Sequence, residues 1–524
     1  MSKKEHEIMH WADQAAEQII NKNPNKKEYI AATGATPSGM IHVGNFREFI
    51  MGHFIAKAIN DKGKKGIHLH YWDNYDVFRK VPVNMPKQDI LKTNLKKPLT
   101  SIPDVIDNKH KSYAEHHQAE FEKYLKIVGV TPLIVSNTTQ YKECILAEEM
   151  KTALENTDKI KEILNRFRKE DLVDSWLPIS VYDEETNLEV EEVEYLGDYN
   201  LKYKDTKGKD QTFDFRKKGL AKFKYRIQVP AYWNYKKIDF ESAGKDHFAA
   251  GGVFQTAGMI AKEVYNIERA LGFGFGWIGI KGGKQFSSST GVIFTLKDVL
   301  EVYEPNMVRW FFAGSRPGSE FNISFDLDVV KYYEDFDKVE RIYFNQEKVD
   351  EKEKIKQSRI YELSAIEIPK KLPFQPSFRH LTNIYQLHQG DIKKIEEYYK
   401  EDLKTKEDEN KLKLRIECVK NWLEQYAPDA MKFQLQENLN KDIKLSKEQK
   451  DSLKILRERL ETKKYTEESL YEDFMNICNE ADIKPQEFFK AAYQVLLNKE
   501  RGPKLAGFII LIGVKKMISL LKEI

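Results

Sequence analysis

Apolar residues at helical spacing, Trp11, Ala15, Ala16 and Ile19, predict a helix near the start of the chain. An apolar run at 29–33 predicts a strand. Phe46, Phe49, Ile50 and Phe54 then fall on one side of a helix from about 45 to 60, and "GIHLHYWD", after Gly63, predicts a second strand. Strand, loop, helix, strand is a βαβ unit, and such sheets bind ligands at the carboxyl ends of their strands. From about 171 to 230 apolar and polar residues alternate between Gly and Asp turns, which predicts antiparallel hairpins inserted into the α/β domain. Strand–helix texture returns at 244–265 and in "FGFGWIGI". Past about 330 the pattern is almost purely helical and highly charged, with 400–410 reading as a solvated face or connector. The apolar run 505–514 is too short to span a bilayer and predicts a buried helix.

Composition adds bounds to this picture. A chain of 524 residues implies several domains, and 41% hydrophobic residues are enough to build their cores. The formal charge of +3 comes from 85 basic and 82 acidic residues, so any nucleic-acid surface must be a local patch. Cys144, Cys418 and Cys478 are too far apart for a CxxC site, and their small odd number fits a reducing compartment. The N-terminal stretch carries Glu5, Glu7, Asp13 and Glu17 and no apolar core of a signal peptide. A cytoplasmic protein without membrane contact is expected.

Three stretches carry candidate chemistry. The first, "ATGATPSGMIHVGNF" at 32–46, is a Gly-rich loop between a strand and a helix, a place where backbone N–H groups and a helix N-terminus hold phosphate. Within it, after Pro37, His42 can donate to phosphate oxygens as negative charge builds, Gly44 lets a nucleotide approach the backbone, and Asn45 offers an amide. The second, "KGGKQFSSSTG" at 281–291, sets Lys284, Gln285, Ser287, Ser288 and Ser289 in a loop of donors suited to closing over a triphosphate. The third, "GKDHFAAGG" at 244–252, places Asp246 and His247 where they could hold a ribose or an amino acid.

The first stretch resembles the HIGH signature of class I aminoacyl-tRNA synthetases, and the second their KMSKS loop in its KMSSS form. Blocks in a constant order extend the resemblance over nearly the whole chain: "WADQAA", "TGATPSGMIHVGNFRE", "DNYDVFRKVP", "PLTSIPD", "SYAEH", "GKDH", "FDLD", "YELS", "QPSFRHL", "WLEQYAPD" and "RGP". Together they are similar to class I lysyl-tRNA synthetases. The resemblance implies an α/β fold: a Rossmann-type catalytic domain at 1–295 with a β-rich insertion at about 100–235, hairpin-rich over 171–230. A stem-contact segment at 296–365 and an all-α anticodon-binding cage at 366–524 would follow. It implies activation of lysine by ATP, assisted by Mg²⁺, with release of pyrophosphate, and transfer of the lysyl group to tRNA. By the same analogy Thr33 and Gly34 hold the amino-acid backbone. Asp73, Tyr225, Asp246 and His247 are candidates for binding lysine or its adenylate, with Asp76, Glu115 and Glu241 as further acids and Tyr232 and Trp233 as aromatic walls. In the helical region Phe378, Arg379, His380 and Arg501 are candidates for stacking and contacting tRNA; Trp422 reads more readily as core.

The chain also departs from the family pattern. Gln285 stands where the loop lysine is usual, with Lys284 one residue earlier, and Asn74 stands where a second Asp is common. The usual W-x-V-D-W-P appears as "YRIQVP" at 225–230, without the acid or the tryptophans. The insertion has no CxxC pair, so no structural zinc, and no metal ligand, is expected. Two alternatives stay open: a class I enzyme for another amino acid such as glutamate, and a non-catalytic tRNA-binding paralogue.

Overall fold

The computed structural model of the protein describes residues 9–281, 293–440 and 442–524. Lys284, Gln285, Ser287, Ser288 and Ser289 lie outside the described residues. Two compact units make up the chain, Met1–Ile323 with Val339–Ile368, and Ser324–Lys338 with Pro369–Ile524.

The first unit is built on four parallel strands. Helix α1 (Trp11–Lys22) leads into β1 (Glu28–Ala35), then α2 (Val43–Asp61) crosses to β2 (Lys65–Trp72). Eight residue pairs join β1 to β2, from Glu28 with Lys65 to Ala35 with Trp72. Helix α3 (Tyr113–Ile127) brings the chain to β3 (Leu133–Ser136), which pairs with β2. The buried stripe of α2, including Phe46, Phe49, Ile50 and Phe54, covers the sheet. A one-residue offset of strand side chains decides what faces this layer. Thr33 is fully buried under α2, where its hydroxyl pairs with His68 Nε2 at 3.0 Å and His70 Nδ1 at 2.9 Å.

The expected hairpins are present as two small antiparallel sheets. One joins β4 (Ile179–Tyr182), β5 (Glu189–Val190) and β9 (Ala221–Phe223); the other joins β6 (Val193–Gly197), β7 (Asn200–Lys204) and β8 (Asp210–Asp214). Helix α4 (Tyr225–Lys236) follows, and then β10 (Phe240–Glu241) pairs with β1 on the side away from β2. The sheet order is therefore β10-β1-β2-β3, and chain direction across the sheet reverses between β1 and β10.

The second unit is helical. Its helices include α5 (Phe378–Leu387), α6 (Lys406–Gln425), α7 (Lys447–Thr462), α8 (Glu467–Glu480), α9 (Pro485–Leu497), α10 (Leu505–Ile512) and α11 (Val514–Leu521). Helices α7 to α11 share one core of Leu, Phe, Ile and Ala side chains. The run 505–514 is part of it: α10 buries Leu505, Ala506, Phe508 and Ile509 and ends at Gly513, whose φ of 86° suits glycine. At the other end of the unit Arg415 is fully buried and reaches both oxygens of Asp337 at 2.8 Å and the Pro376 carbonyl at 2.7 Å.

Candidate active site

Where the strand order of a parallel sheet reverses, the loops that follow the two neighbouring strands run to opposite faces and open a crevice at the carboxyl ends. Here that crevice is a pocket of about 430 Å³. Gly34, Ala35 and Thr36 enter it from the end of β1, Tyr71 and Asp73 from β2, and Glu241, Ser242 and Ala243 from β10. Tyr225, Gln228 and Tyr232 of α4, with His247, close the other side.

The loop 36–42 turns the chain from β1 into α2 beside this pocket. His42 is the N-cap of α2, with φ −91° and ψ 164°, and its backbone N–H donates to Asn45 Oδ1 at 3.3 Å. The ring of His42 lies against Gly44, where a Cβ would stand 2.8 Å from its Cε1 and Nδ1. Gly44 is thus required by the histidine itself. Burial lowers the His42 pKa, so at neutral pH the imidazole is uncharged and has one N–H to donate. Val43 N donates to Phe294 O at 2.8 Å. Arg47, 2% exposed, donates to Gly276 O at 2.8 Å and Arg316 O at 2.9 Å. These bonds fix the first turns of α2 against segments some 230 to 270 residues away, a separation of 229 for Gly276 and 269 for Arg316.

Four carboxyl groups face the pocket, in two differently balanced pairs. Asp73 and Asp76 flank Lys222, whose ammonium lies 2.6 Å from Asp76 Oδ1 and 3.9 Å from Asp73 Oδ1. Burial disfavours the Lys222 charge, yet the two aspartates hold its pKa above the ordinary value. Burial raises the Asp73 pKa, opposed by Lys222 and by hydrogen bonds from Asn137 (3.0 Å) and Gln228. Among the described residues no cation pairs with Glu48 or Glu241. Glu48 Oε1 accepts from Gly34 N at 2.7 Å, and Trp233 Nε1 donates to Glu241 Oε2. Burial pushes the Glu48 carboxyl up to about 8, with repulsion from Glu241 adding to it and the Gly34 bond opposing, and pushes Glu241 up to about 7. This end of the pocket therefore holds two carboxyl groups whose ionisation a nearby positive charge would favour.

Comparison with known proteins decides the family. The family description "tRNA synthetases class I (K)" matches residues 9–367, and "Anticodon binding domain" matches 392–524. The chain belongs to the class I (K) tRNA synthetases. Lysine–tRNA ligase of Borrelia garinii subsp. bavariensis is 41% identical over 98% of this chain and 99% of its own. That of Treponema pallidum is 37% identical over 98% of each chain. Lysine–tRNA ligase of Thermococcus kodakarensis is 36% identical over 98% of this chain and 99% of its own.

Within this class I (K) synthetase the structure brings Gly34, Asp73, Tyr225 and His247 together at the pocket, along with Asp76, Glu241 and Tyr232. It does not bring Thr33 there: strand alternation turns its side chain into the core under α2. Asp246 points outward, its carboxyl 3.6 Å from His247 Nε2 and 61% exposed. Glu115 caps the start of α3, accepting from Lys111 N at 2.9 Å, and Trp233 is core, reaching the site through Glu241. Pro37, within the loop, is buried. Sequence reasoning missed Glu48, Asn137, Lys222 and Gln228. Glu48 had a signal, since it follows Asn45 by three residues and so shares its helix face. Gln228, at the position of the missing family acid, accepts from Tyr141 Oη at 2.7 Å and supports Asp73.

In the helical unit Phe378 is a correction. It is 1% exposed, stacked on Tyr333 with ring centroids 4.1 Å apart and edge-on to Trp422, so it has no face for a base. Helical spacing carried it inward, while Arg379 beside it stays exposed. His380 Nε2 lies 3.2 Å from the hydroxyl of Tyr398, which is 46% exposed, and Arg501 is exposed. Trp422 is buried and donates to Phe325 O.

Four donors elsewhere in this synthetase have the composition of a metal site. Asp104, Asp107, His110 and His116 offer ligand atoms all within 4.8 Å of one another. His116 Nδ1 is 3.4 Å from Asp104 Oδ2 and 3.3 Å from Asp107 Oδ1, and His110 Nδ1 is 3.4 and 3.6 Å from the same atoms. Four ligands at zinc's bond lengths of about 2.0–2.1 Å sit about 3.3 Å apart at tetrahedral corners, so the donor set fits zinc. Cysteine was the signal sought in the sequence, and this cluster has none.

Proposed function

We propose that the protein is a lysine–tRNA ligase that activates lysine with ATP and passes it to tRNA for translation in the cytoplasm. The observation that carries this reading is the Glu48–Glu241 end of the pocket. In this reading lysine's ε-ammonium lies beside Glu48 and Glu241, which line the pocket together, while Asp73 and Asp76 are already balanced by Lys222. Glutamate in the same place would bring a carboxylate that disfavours ionisation of Glu48 and Glu241, whereas an ammonium favours it, which argues against the alternative amino acid.

In this reading the amino-acid carboxylate lies by Gly34–Thr36, facing the N-terminus of α2. Its oxygen attacks the α-phosphorus of ATP, forming lysyl-adenylate and releasing pyrophosphate. Neutral His42 donates to the phosphate oxygens as their charge grows, and the dipole of α2 favours the same charge. Mg²⁺ enters with the triphosphate, as it does in most ATP sites. Lys284, Gln285 and the serines 287–289 are proposed to embrace the same phosphates. A hydroxyl of the terminal adenosine of tRNA then attacks the activated carbonyl and AMP leaves. No chemical step needs a protein nucleophile; positioning and charge stabilisation suffice. Exposed Arg379, Tyr398 and Arg501 and half-buried His380 are the groups proposed to meet anticodon nucleotides, with Tyr398 taking the stacking role expected of Phe378. The hairpins, without cysteine, are read as zinc-free. The donors at 104–116 are the proposed metal site, structural because they lie outside the pocket lining. No helix among the described residues is long and apolar enough to cross a membrane.

ATP–pyrophosphate exchange with each of the twenty amino acids, with and without total tRNA, tests the reading. Exchange with lysine alone is expected. Exchange with glutamate would replace it by the other class I reading, and tRNA binding without exchange for any amino acid would leave a non-catalytic paralogue.

A further inference from the structure

A lysine is seldom buried, because its ammonium leaves water at a cost that only nearby partners offset. Lys222 is 2% exposed. It is the middle residue of β9 and pairs with Ser180 of β4, so it belongs to the inserted hairpins. Its side chain leaves that sheet for the loop after β2. The ammonium donates to Asp76 Oδ1 at 2.6 Å, across 146 residues of chain, and lies 3.9 Å from Asp73 Oδ1. Among the described residues both aspartates line the pocket and Lys222 does not, so it stands behind the wall they form.

Asp73 has a particular place in that wall. Its backbone N–H donates to Ala35 O at 2.9 Å, which ties the end of β2 to the pocket segment Gly34–Thr36 at the end of β1. Its buried side chain accepts from Asn137 Nδ2 at 3.0 Å, and Asn137 Oδ1 in turn accepts from Tyr232 Oη at 2.6 Å. Burial favours the protonated acid, and Lys222 comes first among the groups that oppose it. A carboxylate offers about four acceptor positions. At 3.9 Å the Lys222 ammonium attracts Asp73 without occupying one of them as a hydrogen bond would, so the anion keeps room for an ammonium from the pocket side.

Resting on the reading of the protein as a lysine–tRNA ligase, we propose that Lys222 is a positioning residue for the amino acid: from behind the pocket wall it holds the Asp73 carboxylate in place to take the substrate's α-ammonium. The substrate's carboxylate and α-ammonium share one carbon. A carboxylate by Gly34–Thr36 therefore brings the α-ammonium to the end of β2, while the ε-ammonium extends to Glu48 and Glu241. Each cationic end of lysine meets its own acid. The inserted hairpins, through one side chain of β9, thereby contribute to amino-acid binding without reaching the substrate.

The test is lysine-dependent pyrophosphate exchange, with total tRNA present, by the parent and by Lys222→Met, which keeps most of the side chain's bulk and removes its charge. Lysine without its α-ammonium, 6-aminohexanoate, is used as a competitive inhibitor of both proteins. The KM for lysine is expected to rise roughly tenfold to a hundredfold, the worth of one hydrogen bond to a charged group, with little change in kcat. Inhibition by 6-aminohexanoate is expected to be equally strong in parent and variant, since the lost partner serves the α-ammonium alone. An unchanged KM for lysine would overturn the proposal. So would equal weakening of lysine and 6-aminohexanoate, the mark of a lysine that only supports the fold. If Lys222→Met does not fold, Lys222→Met combined with Asp76→Asn removes the cation together with its nearer carboxylate, and the same comparison of lysine with 6-aminohexanoate decides. Failure of the parent itself to exchange with lysine would instead overturn the ligase reading.

Discussion

Glu48 and Glu241 enter the pocket from different elements and, with their pKa values raised to about 8 and about 7, hold protons near neutrality. An ammonium placed between them favours the ionised forms, so lysine binding must release protons. The KM for lysine is therefore expected to fall as pH rises from about 6 to 8, by up to about tenfold per unit for each proton released. Lysine-dependent pyrophosphate exchange across that range checks it, as does the heat of binding in two buffers of different ionisation enthalpy. Glu48→Gln should raise the lysine KM and flatten its pH dependence. His42→Ala should act on rate instead, lowering activation by about a hundredfold to a thousandfold, the usual loss when one transition-state donor goes. Equilibrium lysine binding should stay near the parent's. Some of the site's geometry was legible: His42, Gly44 and Asn45 stood out by type and spacing and sit at the start of α2, and Asp73, one of several candidate acids, lines the pocket. Glu48 is one acid among 82 acidic residues until α2 is built and its face compared with Asn45. Thr33 was misplaced because the strand's register, which sends alternate side chains to opposite faces, cannot be fixed from a loop motif alone.

At the scale of elements, β1, α2 and β2 were readable because each is long and one-sidedly apolar. Strand β10 was not: two residues carry no period, yet they create the reversal that opens the pocket. The layer between α2 and the sheet also hides two imidazoles. Burial brings the His68 pKa down to about 3, and that of His70 well below its ordinary value with the neighbouring His68 adding to the effect. Above pH 6.5 both are neutral whether the chain is folded or not, and they add nothing to stability. Below it the unfolded chain takes up protons that the folded one refuses. Stability is then lost by about 1.4 kcal/mol per pH unit for each histidine, down to the folded pKa. Urea unfolding followed between pH 7 and 5 should show this fall, and a smaller one for His68→Gln.

For the whole molecule, two units with separate cores mean that damage to one need not silence the other. Removing one partner of the buried Arg415–Asp337 pair leaves an uncompensated charge, and Asp337→Ala should cost about 3–5 kcal/mol in the helical unit. Thermal unfolding should then show an earlier transition, while lysine-dependent pyrophosphate exchange persists below it. Zinc titration against a chromophoric chelator should find a site in the parent that Asp104→Asn combined with His116→Ala abolishes. The helical texture of the second unit was plain from sequence, but not which aromatics face inward, because a single residue step along α5 separates buried Phe378 from exposed Arg379. The bonds from Arg47 to Gly276 and Arg316 have a consequence for synthesis. The histidine loop leaves the ribosome early, whereas the carbonyls that satisfy its buried guanidinium are made more than two hundred residues later. Until then the nascent helix has no partner for that charge and cannot take its place on the sheet. The part of the enzyme that handles ATP is among the first to be translated and among the last to be assembled.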